Sequence, residues 1–398
     1  MPQTTLPNSK MPTVPPRILL GPGPSMVHPR VLQAMMSDMI GYLDPDFILI
    51  MDEVSELLKR VFQTDESMTM ALSGTGSAGM EAGFTSLLEP GDTVIHCVNG
   101  FFSERMFDMA GRVGANVVPL RADWGRPFPE EMLQEELKKH ASVKVVTAIH
   151  AETSTGIKQP LAALSKLAKE HDALFMVDAV TSLGGNEVAV DEWNIDYCYS
   201  ATQKCLACPP GLSPVAMSPR AHEVATSRAT KPTSWYLDLA LNANYWGFDR
   251  VYHHTAPVSM ILALREGLKI ALEEGLEARF ERHHRNAVAL WAGLEALGLN
   301  LVAEEKYRLD QITPVWIPED VDDDEVRRIL LREYGIEVGK GLGQFAGKVW
   351  RIGLMGESSK AHYVMAVLSA LEEILPRLGY EIPHGAGAAA ASRSLASA

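Results

Sequence analysis

The sequence predicts an α/β protein: a large domain whose mostly parallel sheet is covered by helices, followed by a small C-terminal α+β domain. Three observations carry this. Short apolar runs alternate with helix-length amphipathic segments from Ser67 to Asp178. A long amphipathic helix from Val258 to Gly275 then leads away from that region, and beyond it short strands and charged helices follow in a different order. With 398 residues, 46% of them hydrophobic and 22% charged, the chain can bury a large core and a second, smaller one.

A formal net charge of -14 argues against a nucleic-acid groove or an anionic lipid surface, so an anionic ligand needs a local positive site. No segment approaches the roughly 18 uninterrupted apolar residues of a membrane span. Cys97, Cys198, Cys205 and Cys208 are too few for a disulfide framework in a chain this size and read as reduced, so a cytoplasmic location is expected. Cys205-x-x-Cys208 has the spacing of a redox pair or half a zinc site, but no second pair stands at ligand spacing and no metal is expected.

Residues 1–16 are polar and proline-rich without the layout of a signal peptide, and read as a mobile arm. Residues 17–273 are assigned to the large domain. Arg17-Ile18-Leu19-Leu20 runs into Gly21-Pro22-Gly23-Pro24-Ser25, where glycine lets backbone approach a ligand; a plain turn has the same composition. Helical spacing resumes from Pro29 and from Ile48 to Phe62, interrupted at Gly41-Tyr42-Leu43-Asp44-Pro45.

The strand-like Met68–Ser73 gives way to Gly74-Thr75-Gly76-Ser77-Ala78-Gly79 and a helix-like run. This contains G-x-G-x-x-G, but a dinucleotide site wants an acidic residue ending the second strand, and Val94–Val98 ends in Asn99. What remains is a glycine-rich loop at a helix start with hydroxyls at Ser73, Thr75 and Ser77, which suits one phosphate group and equally a tight strand-helix turn. Phe101 and Phe102 follow the second strand, where an aromatic can stack on a planar ligand or simply join the core.

Strand and helix patterns then alternate: Val117–Leu120, Pro129–Lys139, Lys144–Ile149, Leu161–His171 and Ala173–Asp178. In such sheets ligands sit beyond the carboxyl ends of the strands. Four strand ends, carrying Phe102, the loop Ala151–Gly156, Asp178 and Lys204, are expected to converge. Lys204 follows the strand-like Tyr197–Ala201 and precedes the Pro209-Pro210-Gly211 breaker. Its neighbours Cys205, Leu206, Ala207 and Cys208 are apolar, which disfavours its ammonium form and leaves an amine able to form a Schiff base. Alone, the segment also fits a lysine snorkelling from a half-buried loop, and Asp178 alone fits a helix cap. Together, a lysine, a carboxylate that can hold a proton on a pyridine nitrogen, a phosphate cradle and a stacking aromatic are what pyridoxal 5'-phosphate requires.

The stretches Leu19–Ser25, Ser73–Ala82, Ala151–Gly156, Val177–Gly185, Ser200–Gly211, Lys231–Asp238, Tyr245–Thr255 and Val349–Gly356 resemble, in order, those of the class V, fold-type I pyridoxal-phosphate enzymes of the alanine–glyoxylate and serine–pyruvate aminotransferase family. The resemblance implies that Lys204 is the Schiff-base lysine and proton shuttle, with Asp178 the partner of the pyridine nitrogen. It implies Phe102 on the ring face, Thr153 near the ring hydroxyl, and Thr75, Gly76, Ser77, Thr202 and Gln203 near the phosphate. It further implies that Tyr252 and Thr255 reach the neighbouring subunit's cofactor in a homodimer with shared sites. Arg351, aided by backbone near Gly23, would grip the substrate carboxylate; its planar fork suits that task, although an arginine in such a strand is more often a surface ion pair. Phe102 and Ser77 depart from the tryptophan or tyrosine and the histidine common in the family.

The small domain is expected over residues 274–383, with helices Leu276–Leu297, Asp322–Tyr334 and Lys360–Leu378, a strand Ile312–Ile317, and strands near Ile336 and Val349. His283-His284 on the first helix reads as solvated. The tail 384–398 is low-complexity and expected to be disordered, and it ends without an S-K-L address. The activity expected is transamination of alanine or serine with glyoxylate or pyruvate, so the partners are small amino acids and 2-oxo acids. Ureidoglycine, aminoethylphosphonate or pyridoxamine are alternative donors; a desulfurase, for which Cys205 is poorly placed, or a non-catalytic scaffold is a more distant alternative.

Overall fold

The computed structural model describes residues 14–397, so the expected arm lies outside the described residues except for Val14–Pro16, which carry no regular structure. Among the described residues the central sheet has seven strands: β1 (Met68–Ser73), β2 (Thr93–Val98), β3 (Asn116–Arg121), β4 (Val145–Ile149), β5 (Leu174–Asp178), β6 (Tyr197–Tyr199) and β7 (Leu212–Met217). Their order is β1-β7-β6-β5-β4-β2-β3. β7 is antiparallel to both neighbours, and the remaining pairs are parallel. β4, β5, β6 and β7 are buried at every position, as strands covered on both faces must be. The helices Gly76–Leu87, Phe101–Arg112, Glu130–Leu137 and Ala162–Glu170 supply the cover. β7 has no counterpart among the sequence expectations: it opens straight after a proline-glycine breaker and carries Pro214 mid-run, a signal that speaks against a central strand.

A second core forms around Leu290, Leu294, Val315, Trp350, Leu371 and Ile374. Its sheet is Ile312–Trp316 and Gly339–Lys340 on either side of Val349–Gly353, all antiparallel. Three sequence expectations are corrected here. The segment from Arg17 does not start in the large domain: Ile18–Leu19 pairs in parallel with Ile336–Glu337, and Leu20 sits in the small core, because that short edge strand needs a partner and its apolar face a cover. His283 is fully buried rather than solvated, with Nδ1 on Arg279 O at 2.7 Å and Nε2 accepting from Gly356 N–H at 2.9 Å; His284 beside it is half-exposed and bonds Asp310.

The third correction is the tail. Residues Ala386–Ser397 form a helix packed on the helices Leu276–Ala296 and Ala361–Arg377. Alanine is the strongest helix former, and small side chains let the tail lie close to Gly293, whose own missing Cβ would stand 2.3 Å from Leu368 and 3.1 Å from Gly387 O. The buried Glu372 carboxylate accepts from the N–H groups of Gly387 at 2.8 Å and Ala388 at 3.0 Å, capping the helix start. Glu372→Ala is expected to lower stability by about 1 kcal/mol in a urea titration and to speed amide exchange over 386–397. Equally fast exchange of that segment in both proteins would show that the tail does not dock.

Candidate active site

The carboxyl ends of β4, β5 and β6 open into one cavity of about 130 Å³. Eight of the residues singled out in the sequence line it: Thr75, Gly76, Ser77, Phe102, Thr153, Asp178, Gln203 and Lys204. The in-register pairing of Ile149 with Asp178 and of Asp178 with Tyr199 puts the three strand ends side by side.

Lys204 sits on the turn after β6, and its main chain is clamped from the N-terminal loop. Ser25 Oγ donates to Lys204 O at 2.8 Å, and Ser25 N–H donates to Gln203 O at 2.9 Å. The amine donates to Pro22 O. At Gly23, which has a φ of +110°, a Cβ would stand 2.8 Å from Lys204 Nζ, so glycine is required both for the conformation and for room at the amine. Burial, followed by the nearby Arg351 charge, lowers the Lys204 pKa to about 8.

That depressed value makes a stability prediction for the cofactor-free protein. The unfolded lysine keeps its proton up to about 10.5 and the folded one loses it from about 8, so the cost of the buried charge is full below pH 8 and vanishes as pH rises through 10.5. Wild type should therefore gain about 3 kcal/mol relative to Lys204→Met between pH 7 and 11, read from urea midpoints at each pH.

Asp178 ends β5, 5% exposed. Tyr199 OH donates to its Oδ2 at 2.6 Å and Val180 N–H to its Oδ1 at 2.8 Å. Burial raises its pKa to about 6 even though these bonds, Lys204 and Arg105 all favour the charge. The helix Gly76–Leu87 starts in the cavity wall with no side-chain cap at Thr75, leaving the N–H groups of Gly76 and Ser77 to a ligand. Gln203, also in the cavity wall, has its Oε1 buried without a partner among the described residues. A Cβ at Gly76 would stand 2.9 Å from Ala201 Cβ, so the loop can lie this close only as glycine.

Arg351 is 4% exposed in the strand Val349–Gly353; Nε donates to Lys340 O at 2.8 Å while Nη1 is buried without a partner among the described residues. Burial lowers its pKa to about 10, and the Glu152 charge works the other way. Glu152 is fully buried and raised by that burial; it accepts from Ser154 N–H, Ser154 Oγ and Ser103 N–H at 3.0, 2.6 and 3.2 Å. The arrangement offers an amine, a carboxylate, a helix start and the Arg105 guanidinium around one small void, while Arg351, with its unpaired Nη1, is not among the lining residues. The uncapped helix start fits a phosphate group, and the unpaired Arg351 Nη1 donor fits a carboxylate-bearing substrate.

Thr202, expected near the phosphate, and Tyr252 and Thr255, expected at the neighbouring subunit's cofactor, do not line this cavity. Thr202 Oγ1 donates to Pro209 O at 2.7 Å and bonds Leu212 O, so its hydroxyl is used to close the lysine loop. Tyr252 is 51% exposed and packs on Tyr42 with ring centroids 5.5 Å apart; Thr255 is also exposed. Cys205 and Cys208 are buried thiols pushed up to about 12 by burial, each bonded to a main-chain carbonyl, which suits neither a redox pair nor a mobile nucleophile.

A family model described as aminotransferase class-V matches residues 18–351. The chain belongs to the class V aminotransferases. This aminotransferase is 41% identical over 379 residues to the (S)-ureidoglycine–glyoxylate transaminase of Bacillus subtilis strain 168, an alignment spanning 91% of each chain. The crystal structure of ureidoglycine–glyoxylate aminotransferase from Bacillus subtilis superposes with a TM-score of 0.94 at 42% identity, over 97% of this chain and 99% of that one. The alanine–glyoxylate aminotransferase structure from Nostoc sp. gives 0.90 at 49% identity, over 92% and 97%. The alanine–glyoxylate aminotransferase of Callithrix jacchus is 40% identical over 367 residues, 91% of this chain and 88% of that one. The aminotransferase therefore has the fold-type I architecture expected, and its family implies pyridoxal 5'-phosphate as cofactor. No helix among the described residues is long and apolar enough to cross a membrane.

Arg105, Tyr199 and Glu152 were not singled out by the sequence reading of the aminotransferase. Arg105 lines the cavity with its guanidinium 5.0 Å from the Phe102 ring centroid. The apolar spacing Phe102, Met106, Met109 marks the helix that carries it, and places Arg105 on the same face as Phe102. Tyr199 was legible only through strand register, which sequence spacing does not fix.

Proposed function

We propose that the chain is a pyridoxal-phosphate transaminase that passes the amino group of a small amino donor to glyoxylate. The observation that carries this is the single cavity holding Lys204, Asp178 and the uncapped helix at Gly76. Glyoxylate appears in the name of each of the three relatives above, whereas their donors differ, alanine in two and ureidoglycine in one. Alanine or serine is the donor favoured here, and ureidoglycine the alternative.

In this reading the N–H groups at the start of the helix Gly76–Leu87, with Thr75, Ser77 and the Gln203 amide, would hold the phosphate, and Phe102 and Thr153 would hold the ring. When bound, the cofactor supplies a ring that takes up the electron pair released at the donor's α-carbon. Asp178, held in place by Tyr199 and Val180, keeps a proton on the ring nitrogen. Arg351 receives the α-carboxylate on its fork, filling the place of the partner that Nη1 lacks. The Lys204 amine, made partly neutral near pH 8 by burial, would tether the cofactor and, once freed, serve as the base that takes the proton from the donor's α-carbon. A homodimer accounts for Tyr252 and Thr255, which face outward within one chain, and for the exposed aromatics Trp235, Tyr236 and Phe248 near them.

The test is a half-reaction screen. Amino acids and ureidoglycine are added singly to the holoenzyme, and the visible absorbance of the lysine-linked cofactor is followed. Loss of the band with alanine or serine, and its return with glyoxylate, is the expected result; a band that no donor discharges would overturn the reading.

A further inference from the structure

Outside the cavity lies a partly buried ionic cluster, none of whose members lines the site. Glu274 ends the helix Val258–Glu274, and Arg279, Arg282 and His283 follow on the helix Leu276–Ala296. Arg279 is 1% exposed and uses three nitrogens. Nη1 lies 2.6 Å from Glu274 Oε2, Nε donates to Gly184 O at 2.8 Å, and Nη2 donates to Cys205 O at 2.6 Å. Gly184 is in the loop that follows Asp178, and Cys205 adjoins Lys204. One guanidinium therefore joins the main chain beyond the cofactor-facing carboxylate to the main chain that carries the amine.

The other side of Glu274 holds Arg282, with Nε at 2.5 Å from Oε1 and Nη2 at 3.0 Å from Oε2. Arg282 Nη1 donates to Gly356 O at 3.0 Å and Ser359 O at 2.7 Å, in the turn just after the strand of Arg351. Burial works to raise the Glu274 carboxyl, but hydrogen bonds and charge from Arg282 and Arg279 outweigh it and hold the group at about 2, so it stays ionised. Burial, reinforced by Arg282 and Arg279, keeps His283 neutral, which frees its Nε2 to accept from Gly356 N–H. Gly356 packs tightly against the lysine loop: a Cβ there would be 2.8 Å from Cys205 O. The segments bearing Asp178, Lys204 and Arg351 are thus all fastened to one carboxylate at the junction of the two domains.

We propose that Glu274, Arg279 and Arg282 are positioning residues that fix the separation of Lys204 and Arg351 across the domain boundary, and so the placement of the donor's α-carbon against the amine. The inference rests on the transamination reading above. A displacement of about 1 Å between reacting groups can cost about a hundredfold in rate, so a cluster that touches no substrate can still govern turnover.

The holoenzymes of Arg279→Ala, Arg279→Lys and Glu274→Gln are compared with wild type and with Lys204→Ala. Read out are the midpoint of the pH titration of the visible cofactor band, KM and kcat for the donor, and urea stability; in the cofactor-free proteins, amide exchange at Ala207 and Cys208 is followed. Arg279→Ala and Glu274→Gln are expected to shift the band midpoint, speed that exchange, and lower kcat/KM by about tenfold or more, with Arg279→Lys partly restoring each because it reaches one carbonyl. Lower stability with the band midpoint, exchange, KM and kcat all at wild-type values would overturn the proposal. If Arg279→Ala does not fold, Arg279→Lys and Glu274→Gln, which keep the volume, decide it on the same readouts. A Lys204→Ala protein that retains the band would instead defeat the transamination reading itself.

Discussion

Lys204→Ala is expected to bind the cofactor without the visible absorbance of the lysine linkage and to lose about 10⁴-fold in turnover, the range set by removal of a positioned proton-transfer group. The physical basis is local. The Pro22 carbonyl and the main-chain clamp from Ser25 hold one amine in the cavity wall, where the absent Cβ at Gly23 leaves it room, and burial with Arg351 nearby makes it partly neutral. Among the described residues no other lysine lines that cavity. Absorbance spectra and single-turnover rates check the result, and persistence of both band and turnover would show that the amine has another role.

Asp178→Asn is expected to lower kcat by about 10³-fold, because an amide cannot hold the ring-nitrogen proton by charge. The cofactor should also bind more weakly to wild type as pH falls through about 6, where the carboxylate takes up its proton, and this inflection should be missing in the variant. Stability of the cofactor-free protein moves in the opposite sense. The folded carboxyl binds its proton up to about 6 and the unfolded one only to about 3.8, so this residue lowers stability as pH rises through that interval and keeps it low above. Cofactor titrations between pH 5 and 8, paired with urea unfolding of wild type and variant, separate the two effects. An unchanged inflection in the variant would assign it to another group.

The alternation of apolar strands and helices was legible because strands covered on both faces must be apolar throughout, and that pattern also locates the carboxyl ends where Asp178 and Lys204 stand. The helix carrying Arg105 was less visible because Asn99-Gly100 interrupts the apolar run just before it. The tail misled for a different reason: its composition is that of a flexible linker, and only the presence of Glu372 and Gly293 on neighbouring helices turns alanine's helix preference into a docked element. His283 likewise sits among charged residues in sequence, yet its face of the helix is the one turned inward.

By itself the sequence determined which chemical groups are present and on which strand ends they fall, since residue type and local periodicity are written residue by residue. The tertiary structure alone decided which distant segments share a carbonyl, a carboxylate or a core: Ile18 with Ile336, Ser25 with Lys204, Arg279 with both Gly184 and Cys205. Such pairings depend on register and domain packing over long separations along the chain, and no local pattern encodes them.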